Sequence, residues 1–158
     1  YLTDGYKFCR MTFVMLDAAR QLGSRQMIWL DGDTVVRQDV PAWYFEEHVP
    51  ADAQYAYLGR GRHHSELGFL AFRLPEALPL IKRFADYYDS GEFLSLPEWH
   101  SAYLFDRARE EMPYIRGHDL TPGCRGHVVH QCEIGLTFDH TKGSHRKKLG
   151  YSPERIGD

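Results

Sequence analysis

The sequence predicts a single α/β domain in which helices flank a mixed sheet. Segments with the spacing of strands alternate along the chain with segments that have the spacing of helices, as in α/β and mixed-sheet proteins. The chain has 158 residues, which is long enough to bury one core. Its hydrophobic fraction of 43% is that of an ordinary globular protein. We expect the domain to span residues 1–150 and a polar tail to span residues 151–158.

The first half of the chain begins with an amphipathic helix over residues 4–22. Its apolar side chains repeat with helical spacing, Thr3 or Asp4 is a suitable cap, and Gly23 is a suitable stop. The elements expected next are, in order, a buried strand over residues 27–30, a short turn or helix over residues 40–45, a strand over residues 54–58, a flexible polar loop over residues 59–64 and a strand over residues 67–74.

The second half is expected to contain two further helices and two short strands. Pro75 and Pro97 each precede a helical pattern, and proline favours the first turn of a helix. The expected elements are a helix over residues 76–88, a helix over residues 98–111, an irregular segment over residues 112–126, a short strand over residues 128–130 and a strand over residues 136–139.

Charge and cysteine content exclude several classes of protein. The formal net charge of −3 gives no support to general nucleic-acid binding. Three cysteines without a Cys-x-x-Cys pair make a disulfide framework or a structural zinc site unexpected, and reduced cysteines indicate a cytoplasmic protein. No apolar run has the length of a transmembrane segment, and no signal peptide is visible. The chain begins at Tyr1 rather than at a methionine.

The most informative motif is Asp31-Gly32-Asp33, which directly follows the strand predicted over residues 27–30. In open α/β sheets, ligands bind just outside the C-terminal ends of strands. Two carboxylates one residue apart can hold a hard divalent cation there, and the glycine between them lets the backbone approach closely. Because Asp-Gly is also a strong turn signal, the motif by itself fits an acidic surface turn equally well.

A second motif near the C-terminus combines a histidine, a glycine and several cations. His140 follows a short apolar stretch, Gly143 comes three residues later, and Arg146 begins the run Arg146-Lys147-Lys148. Neutral imidazole is a ligand for Mn²⁺ and similar metals. The glycine would let phosphate oxygens meet backbone N–H groups, and the cations would neutralise phosphate charge. The alternative for this run is a solvated basic surface loop.

Together the two motifs resemble those of the GT-A glycosyltransferases. The Asp-Gly-Asp segment is similar to their DxD motif after a strand. His140, Gly143 and Arg146 are similar to the His-x-x-Gly-x-x-Lys motif of the glycogenin-like family 8, with arginine in place of lysine. Small bacterial and phage-type glycosyltransferases show a fuller similarity, which covers residues 5–150 and includes Ser-Glu-x-Gly-Phe and Glu-Trp-His segments.

This resemblance implies a Rossmann-like GT-A domain and a metal-dependent hexosyltransferase. The enzyme would move a sugar from a UDP- or GDP-sugar to a hydroxyl acceptor, either a glycan or a small molecule, and family 8 implies retention at the anomeric carbon. Asp31, Asp33 and His140 would hold Mn²⁺ or Mg²⁺. Further contacts to the nucleotide sugar would come from Gly32, Lys142, Gly143, Arg146 and Lys147. GT-A domains have more elements before their DxD motif, so we expect the fold to be incomplete at its N-terminus.

Several weaker candidates would act on the sugar or the acceptor. Glu66 and Glu98 are candidate catalytic carboxylates in addition to Asp31, although a surface position or the start of a helix also explains a glutamate. Trp99 and His100 are candidate acceptor contacts. Tryptophan stacks on sugars, but it is also a common core residue.

Two other functions fit parts of the sequence. Haloacid-dehalogenase-type phosphatases carry Asp-x-Asp-x-Thr after a strand, but Thr34 follows Asp33 directly, one position too early. A non-catalytic domain that binds metal and diphosphate without turnover is the other alternative. It fits the short region before Asp31 and the serine at position 101, near which related sequences often carry aspartate. Hydrolysis of a nucleotide sugar would distinguish an enzyme from such a domain.

Overall fold

The computed structural model describes residues 2–23 and 25–155, with side chains from residue 5 onward. The side chains of Thr3 and Asp4, proposed as caps, and the tail residues 156–158 lie outside this description. The helices are α1 (Leu2–Leu22), α2 (Tyr44–His48), α3 (Leu78–Asp89), α4 (Ser101–Glu111), α5 (Ile134–Thr137) and α6 (Ser144–Leu149). The strands are β1 (Gln26–Leu30), β2 (Thr34–Val36), β3 (Tyr55–Arg60), β4 (His63–Arg73), β5 (Gly117–Asp119) and β6 (Phe138–His140).

A four-stranded mixed sheet in the order β1-β4-β3-β5 runs through the centre of the domain. Strands β1 and β3 pair antiparallel with β4, whereas β5 pairs parallel with β3. A separate antiparallel ladder joins β2 to β6, with Thr34 opposite His140 and Val36 opposite Phe138. The predicted class, a mixed α/β sheet flanked by helices, is confirmed.

Strand β4 separates two hydrophobic clusters because its successive side chains point to opposite faces of the sheet. Leu70 and Phe72 belong to the cluster that includes α1, α3 and α4. Phe69 and Ala71 belong to the cluster that includes α2 and β6. Eight consecutive residues of β4 are buried, so the strand is covered on both faces rather than on one.

The prediction for the first helix and the first strand is confirmed. Helix α1 ends at Leu22, where Gly23 adopts a φ of 63° and its N–H donates to the carbonyl of Ala19. Such a left-handed residue is a common helix stop, and glycine adopts it without a steric cost. Neither α1, with 21 residues, nor any other helix in the described part of the chain is long and apolar enough to cross a membrane.

The prediction of a flexible loop over residues 59–64 is wrong. Strand β3 continues to Arg60 and β4 begins at His63, so these residues form a hairpin. Gly61 lies in its turn with a φ of 58°, which glycine permits. Gly59 lies against the carboxylate of Asp119 and donates its N–H to it at 2.9 Å. The polar side chains and glycines of this segment are typical of a loop. Pairing between β3 and β4 nevertheless determines its structure.

Other boundaries also differ from the predictions, because tertiary contacts outweigh local preference in short segments. Helix α4 starts at Ser101, so residues 98–100 precede it and His100 caps it. The predicted irregular segment over residues 112–126 contains β5. The segment Val128–Gln131 is a 3₁₀ turn rather than a strand, α3 begins at Leu78, and the strand predicted over residues 136–139 is replaced by the end of α5 and by β6.

The C-terminal residues that the structure describes contact the β2–β6 ladder. Ser152 is fully buried, and its N–H donates to the carboxylate of Asp139 at 3.2 Å. Glu154 accepts a hydrogen bond from Arg146 at 2.8 Å. These contacts attach residues 152–155 to the same part of the domain as His140.

Candidate functional site

The β2–β6 ladder brings the two sequence motifs together. Asp33 immediately precedes β2, and His140 is the last residue of β6, opposite Thr34. Thr141 reinforces the junction, because its N–H and its hydroxyl donate to the carbonyl of Asp33 at 3.0 Å and 2.7 Å. The Asp-Gly-Asp segment therefore lies beside His140, although 108 positions separate Asp33 from Thr141.

Three side chains converge at this junction, and we call them the Asp-Asp-His centre: Asp31, Asp33 and His140. The Nε2 atom of His140 lies 3.0 Å from Oδ1 of Asp33 and 3.6 Å from Oδ2 of Asp31. One donor atom from each residue lies within 4.8 Å of the other two. His140 is 2% exposed, whereas the carboxylates are partly open to solvent. This arrangement can accept a cation from the cleft.

The two carboxylates of the centre differ in their electrostatic environment. Burial raises the pKa of Asp31, and the charge of His140 and the hydrogen bond from Trp29 offset it only in part. Burial alone would raise the pKa of Asp33 as well. There, the hydrogen bond from Lys147 and the charge of His140 outweigh burial and hold the pKa below its usual value. Asp33 is therefore the more strongly ionised of the two.

Glu66 and Gly68 of β4 support His140 from beneath. The Oε1 atom of Glu66 lies 3.4 Å from Nδ1 of His140, and the glutamate is 2% exposed. A carboxylate at Nδ1 favours the proton on that nitrogen and leaves Nε2 directed at Asp31 and Asp33. A Cβ atom at position 68 would lie 2.7 Å from Cε1 of His140, so only glycine leaves room for the ring.

Opposing effects act on the ionisation of the buried pair formed by Glu66 and His140. Burial alone would lower the pKa of His140, but the carboxylates of Glu66, Asp33 and Asp31 raise it above its usual value. Burial would raise the pKa of Glu66, but His140 and Lys142 lower it to about 2. The pair is thus a buried carboxylate that stays ionised beside an imidazole.

Basic side chains surround the same centre. Lys147 places its Nζ atom 2.9 Å from Oδ2 of Asp33, and Lys142 places its Nζ atom 3.0 Å from Oε1 of Glu66. Arg60 lies 3.7 Å from the other oxygen of Glu66. These cations and Lys7 line a cleft of about 450 Å³ that also contains the Asp-Asp-His centre. A cleft with both carboxylates and cations suits a ligand that carries a metal and a phosphate.

The remaining nucleotide-sugar candidates lie at different places. Gly32 connects the two aspartates, and a Cβ atom there would meet no atom within 4 Å. Gly143 has a φ of 88° and precedes α6. Arg146 donates to Glu154 and to the carbonyl of Lys142. Among the basic residues of α6, the structure therefore brings Lys147, rather than Arg146, to the carboxylates.

The acceptor-side candidates are only partly at the cleft. His100 lines it, and the carboxylate of Glu98 lies 2.7 Å from Nε2 of His100. Trp99 packs against the core cluster that includes α1, and its carbonyl accepts a hydrogen bond from Tyr88. The structure thus places Glu98 and His100 near the cleft and Trp99 mainly in the core.

Sequence reasoning missed Arg60 and the supporting role of Gly68. Arg60 lies in the segment predicted as a flexible loop, where nothing in the sequence showed a hairpin that directs its side chain to Glu66. Gly68 was visible only as part of the Ser-Glu-x-Gly-Phe segment. A glycine inside an otherwise apolar strand is the one available signal, since it often marks a close approach of another group.

The fold is similar to that of a solved glycosyltransferase. The matching crystal structure is described as a glycosyltransferase involved in the glycosylation of the major capsid of PBCV-1, and it aligns with a TM-score of 0.61. The alignment has 19% sequence identity and covers 92% of this chain and 74% of that chain. No protein-family model and no curated protein sequence matches the chain. At this identity the likeness shows that the two proteins share a fold.

Proposed function

We propose that this protein is a metal-dependent glycosyltransferase that moves a sugar from a nucleoside-diphosphate sugar to a hydroxyl acceptor. The observation that carries the proposal is the convergence of Asp31, Asp33 and His140 in one cleft with Lys142 and Lys147. The glycosyltransferase fold supports it independently of those residues. A UDP- or GDP-sugar is the expected donor, and a glycan or small molecule the expected acceptor.

The residues of the centre fit a divalent cation such as Mn²⁺ or Mg²⁺. Two carboxylates and one imidazole are donors that Mn²⁺ accepts, and the carboxylate of Glu66, 3.4 Å from Nδ1 of His140, is placed to orient a ligating histidine. When bound to the diphosphate, such a cation acts as a Lewis acid that stabilises the leaving group. Asp33 is the strongest candidate ligand, because its carboxylate is ionised and is nearest to Nε2 of His140.

Lys147 and Lys142 are proposed to neutralise the diphosphate. Lys147 already contacts Asp33, so the lysine has two alternative partners in the cleft: that carboxylate and a phosphate oxygen. Lys142 can likewise contact either Glu66, as it does in this structure, or a phosphate oxygen. Cations placed where negative charge develops lower the barrier without having to reorganise during the reaction. Gly143 and Arg146 remain candidates for weaker contacts through the backbone and long-range charge.

Glu66 is proposed to position His140 rather than to exchange a proton with the substrate. Its pKa of about 2 keeps it ionised, His140 and Lys142 both contact its Oε1 atom, and Arg60 lies 3.7 Å from Oε2. Glu98 is the better candidate for the acceptor-side carboxylate, with His100 as an acceptor contact. The similarity to family 8 implies retention, in which case the leaving phosphate takes the acceptor proton and no strong base is needed.

Calorimetric titration of UDP and GDP tests the proposal, with and without Mn²⁺. The variants are Asp33→Asn, which disables the centre, and Asp39→Asn, a matched change at an exposed aspartate a few residues further along the chain. We expect Mn²⁺-dependent nucleotide binding in the wild-type protein and in Asp39→Asn, and its loss in Asp33→Asn. A folded Asp33→Asn protein that binds nucleotide with Mn²⁺ as tightly as the wild type would refute the assignment.

Turnover separates the enzyme from the non-catalytic alternative. Mn²⁺-dependent hydrolysis of a UDP- or GDP-sugar in the absence of an acceptor, lost in Asp33→Asn, supports glycosyl transfer. Tight Mn²⁺-dependent binding without hydrolysis or transfer, over a panel of donor sugars, supports a domain that only binds. The serine at position 101 lines the cleft and is the sequence feature that favours this alternative.

A further inference from the structure

A second cluster of metal-ligating side chains lies at the edge of the cleft. His64, Glu98 and His100 each offer one donor atom, and these atoms all lie within 4.8 Å of one another. The Nε2 atom of His64 is 3.1 Å from Oε1 of Glu98, and the Nε2 atom of His100 is 2.7 Å from Oε2. All three side chains are partly exposed, so a dissolved ion can reach them.

Asp106 orients the ring of His64 so that its Nε2 atom is directed at Glu98. Its Oδ2 atom lies 3.3 Å from Nδ1 of His64, while Ser65 and Arg109 donate to the same carboxylate. A carboxylate at Nδ1 keeps the imidazole proton there and leaves the lone pair of a neutral histidine on Nε2. That lone pair faces an oxygen of Glu98 at 3.1 Å, and a metal cation at this position would bind both atoms.

We propose that His64, Glu98 and His100 form a second metal site, which takes zinc or a similar borderline transition ion. Two imidazoles and one carboxylate are a known zinc ligand set that leaves a further position for water or another ligand. The separation of 3.1 Å between His64 and Glu98 fits two ligands that each lie about 2.0–2.2 Å from one ion. The site shares no ligand with the Asp-Asp-His centre and does not depend on the proposed function.

His100 has to change one hydrogen bond to join this site. Its Nδ1 atom accepts the N–H of Tyr103 at 3.2 Å, which makes it the cap of α4. In that state the proton is on Nε2, directed at Glu98. Binding a metal through Nε2 moves the proton to Nδ1 and removes the cap, so zinc competes with the first turn of α4. His100 also lines the cleft, which places the ion at its rim.

Zinc titration of the full chain by calorimetry tests the site. Asp33→Asn serves as the parent, because it weakens the Asp-Asp-His centre and leaves the second cluster unchanged. In this parent, His64→Ala should weaken zinc binding at least tenfold. His100→Asn should weaken it too, and asparagine remains a good helix cap, so loss of the cap cannot explain the effect. His63→Ala changes an exposed neighbour and should stay within twofold of the parent.

Circular dichroism establishes that each variant is folded. The zinc titrations then show whether the second metal site exists. One zinc per chain in the parent, lost in both His64→Ala and His100→Asn, supports the site. No zinc binding in the parent, or equal binding in the parent and in His64→Ala, overturns it and leaves the cluster as an ion-pair network. Neither result changes the test of the proposed function, which measures Mn²⁺-dependent nucleotide binding rather than zinc binding.

Discussion

Gly68 lies directly beneath the ring of His140. A Cβ atom at this position would approach Cε1 of the imidazole to 2.7 Å. The carbonyl of Gly68 also accepts the N–H of Asp31 at 3.3 Å. One residue without a side chain thus contacts both sequence motifs and determines how closely the imidazole and the carboxylates approach each other.

Gly68→Ala is expected to lower Mn²⁺ affinity at least tenfold while the protein remains folded. The added methyl group must displace His140, and overpacking of this kind costs about 1–3 kcal/mol of stability. Gly59→Ala is the matched control, since its Cβ atom would clash with Asp119, away from the metal ligands. We expect the control to lose stability but to keep its Mn²⁺ affinity, measured by calorimetry. Equal Mn²⁺ affinity in the two variants would contradict the role given to Gly68.

Changes at His140 and Lys147 are expected to separate metal binding from phosphate binding. His140→Ala removes a ligand and should weaken Mn²⁺ binding at least tenfold. Lys147→Ala removes a cation from Asp33, so Mn²⁺ should bind as well as in the wild type or better, while UDP binding with Mn²⁺ falls. Lys148→Ala, at an exposed neighbour, is the control for both titrations. The ligand role of His140 fails if His140→Ala and Lys147→Ala weaken Mn²⁺ equally.

Acid unfolding should reveal the buried carboxylate of Glu66. Its pKa is about 2 in the folded protein, against an ordinary value of 4.5. A depressed pKa contributes stability that is present above the ordinary value and disappears as the pH falls toward the folded value. The difference in unfolding free energy between wild type and Glu66→Gln should therefore shrink between about pH 4.5 and 2.

Urea unfolding at pH steps across this window measures that difference. Glu76→Gln, at an exposed glutamate, is the control and should run parallel to the wild type at every step. A wild-type and Glu66→Gln difference that stays constant down to pH 2 would show that Glu66 does not have a depressed pKa.

Asp139→Ala is expected to destabilise the β2–β6 ladder strongly. Asp139 is fully buried, accepts hydrogen bonds from Arg37 at 2.9 Å and from the N–H of Ser152, and lies 3.3 Å from His130. Arg37 is partly exposed, so solvent compensates part of its charge, but the buried N–H of Ser152 loses its acceptor, and such a loss costs about 1–3 kcal/mol. Chemical denaturation measures this loss, with Asp39→Ala as the exposed control. A loss below about 1 kcal/mol would mean that solvent, rather than Asp139, compensates Arg37.

The centre of the site was predictable because its residues form compact motifs. Asp31 and Asp33 directly follow a short apolar strand, and His140 ends another, so local pattern alone placed each of them at a strand end. What the sequence did not contain was the pairing of β2 with β6, which determines that the motifs meet. The family resemblance provided that link. Long-range pairing of two three-residue strands has no local signature.

The same limit applies to what the sequence left open. Arg146 matches the lysine of the motif that the sequence resembles, yet Lys147 contacts Asp33, because the short helix α6 turns Arg146 toward Glu154. His64 lies in the segment predicted as a flexible loop, and its partners Glu98 and Asp106 are 34 and 42 positions away. In both cases the decisive neighbour comes from a remote segment, and spacing along the chain carries no information about it.

The ladder between β2 and β6 has a consequence for how this architecture diversifies. Three residue pairs hold the cation ligands together, whatever the length of the chain between them. Strand β4, which passes beneath His140, and the segments that line the cleft have to keep their place. Exposed segments that do not line the cleft, such as residues 38–40, are free to accumulate insertions and substitutions. Such segments can therefore diverge in sequence and length while the geometry of the Asp-Asp-His centre is inherited unchanged.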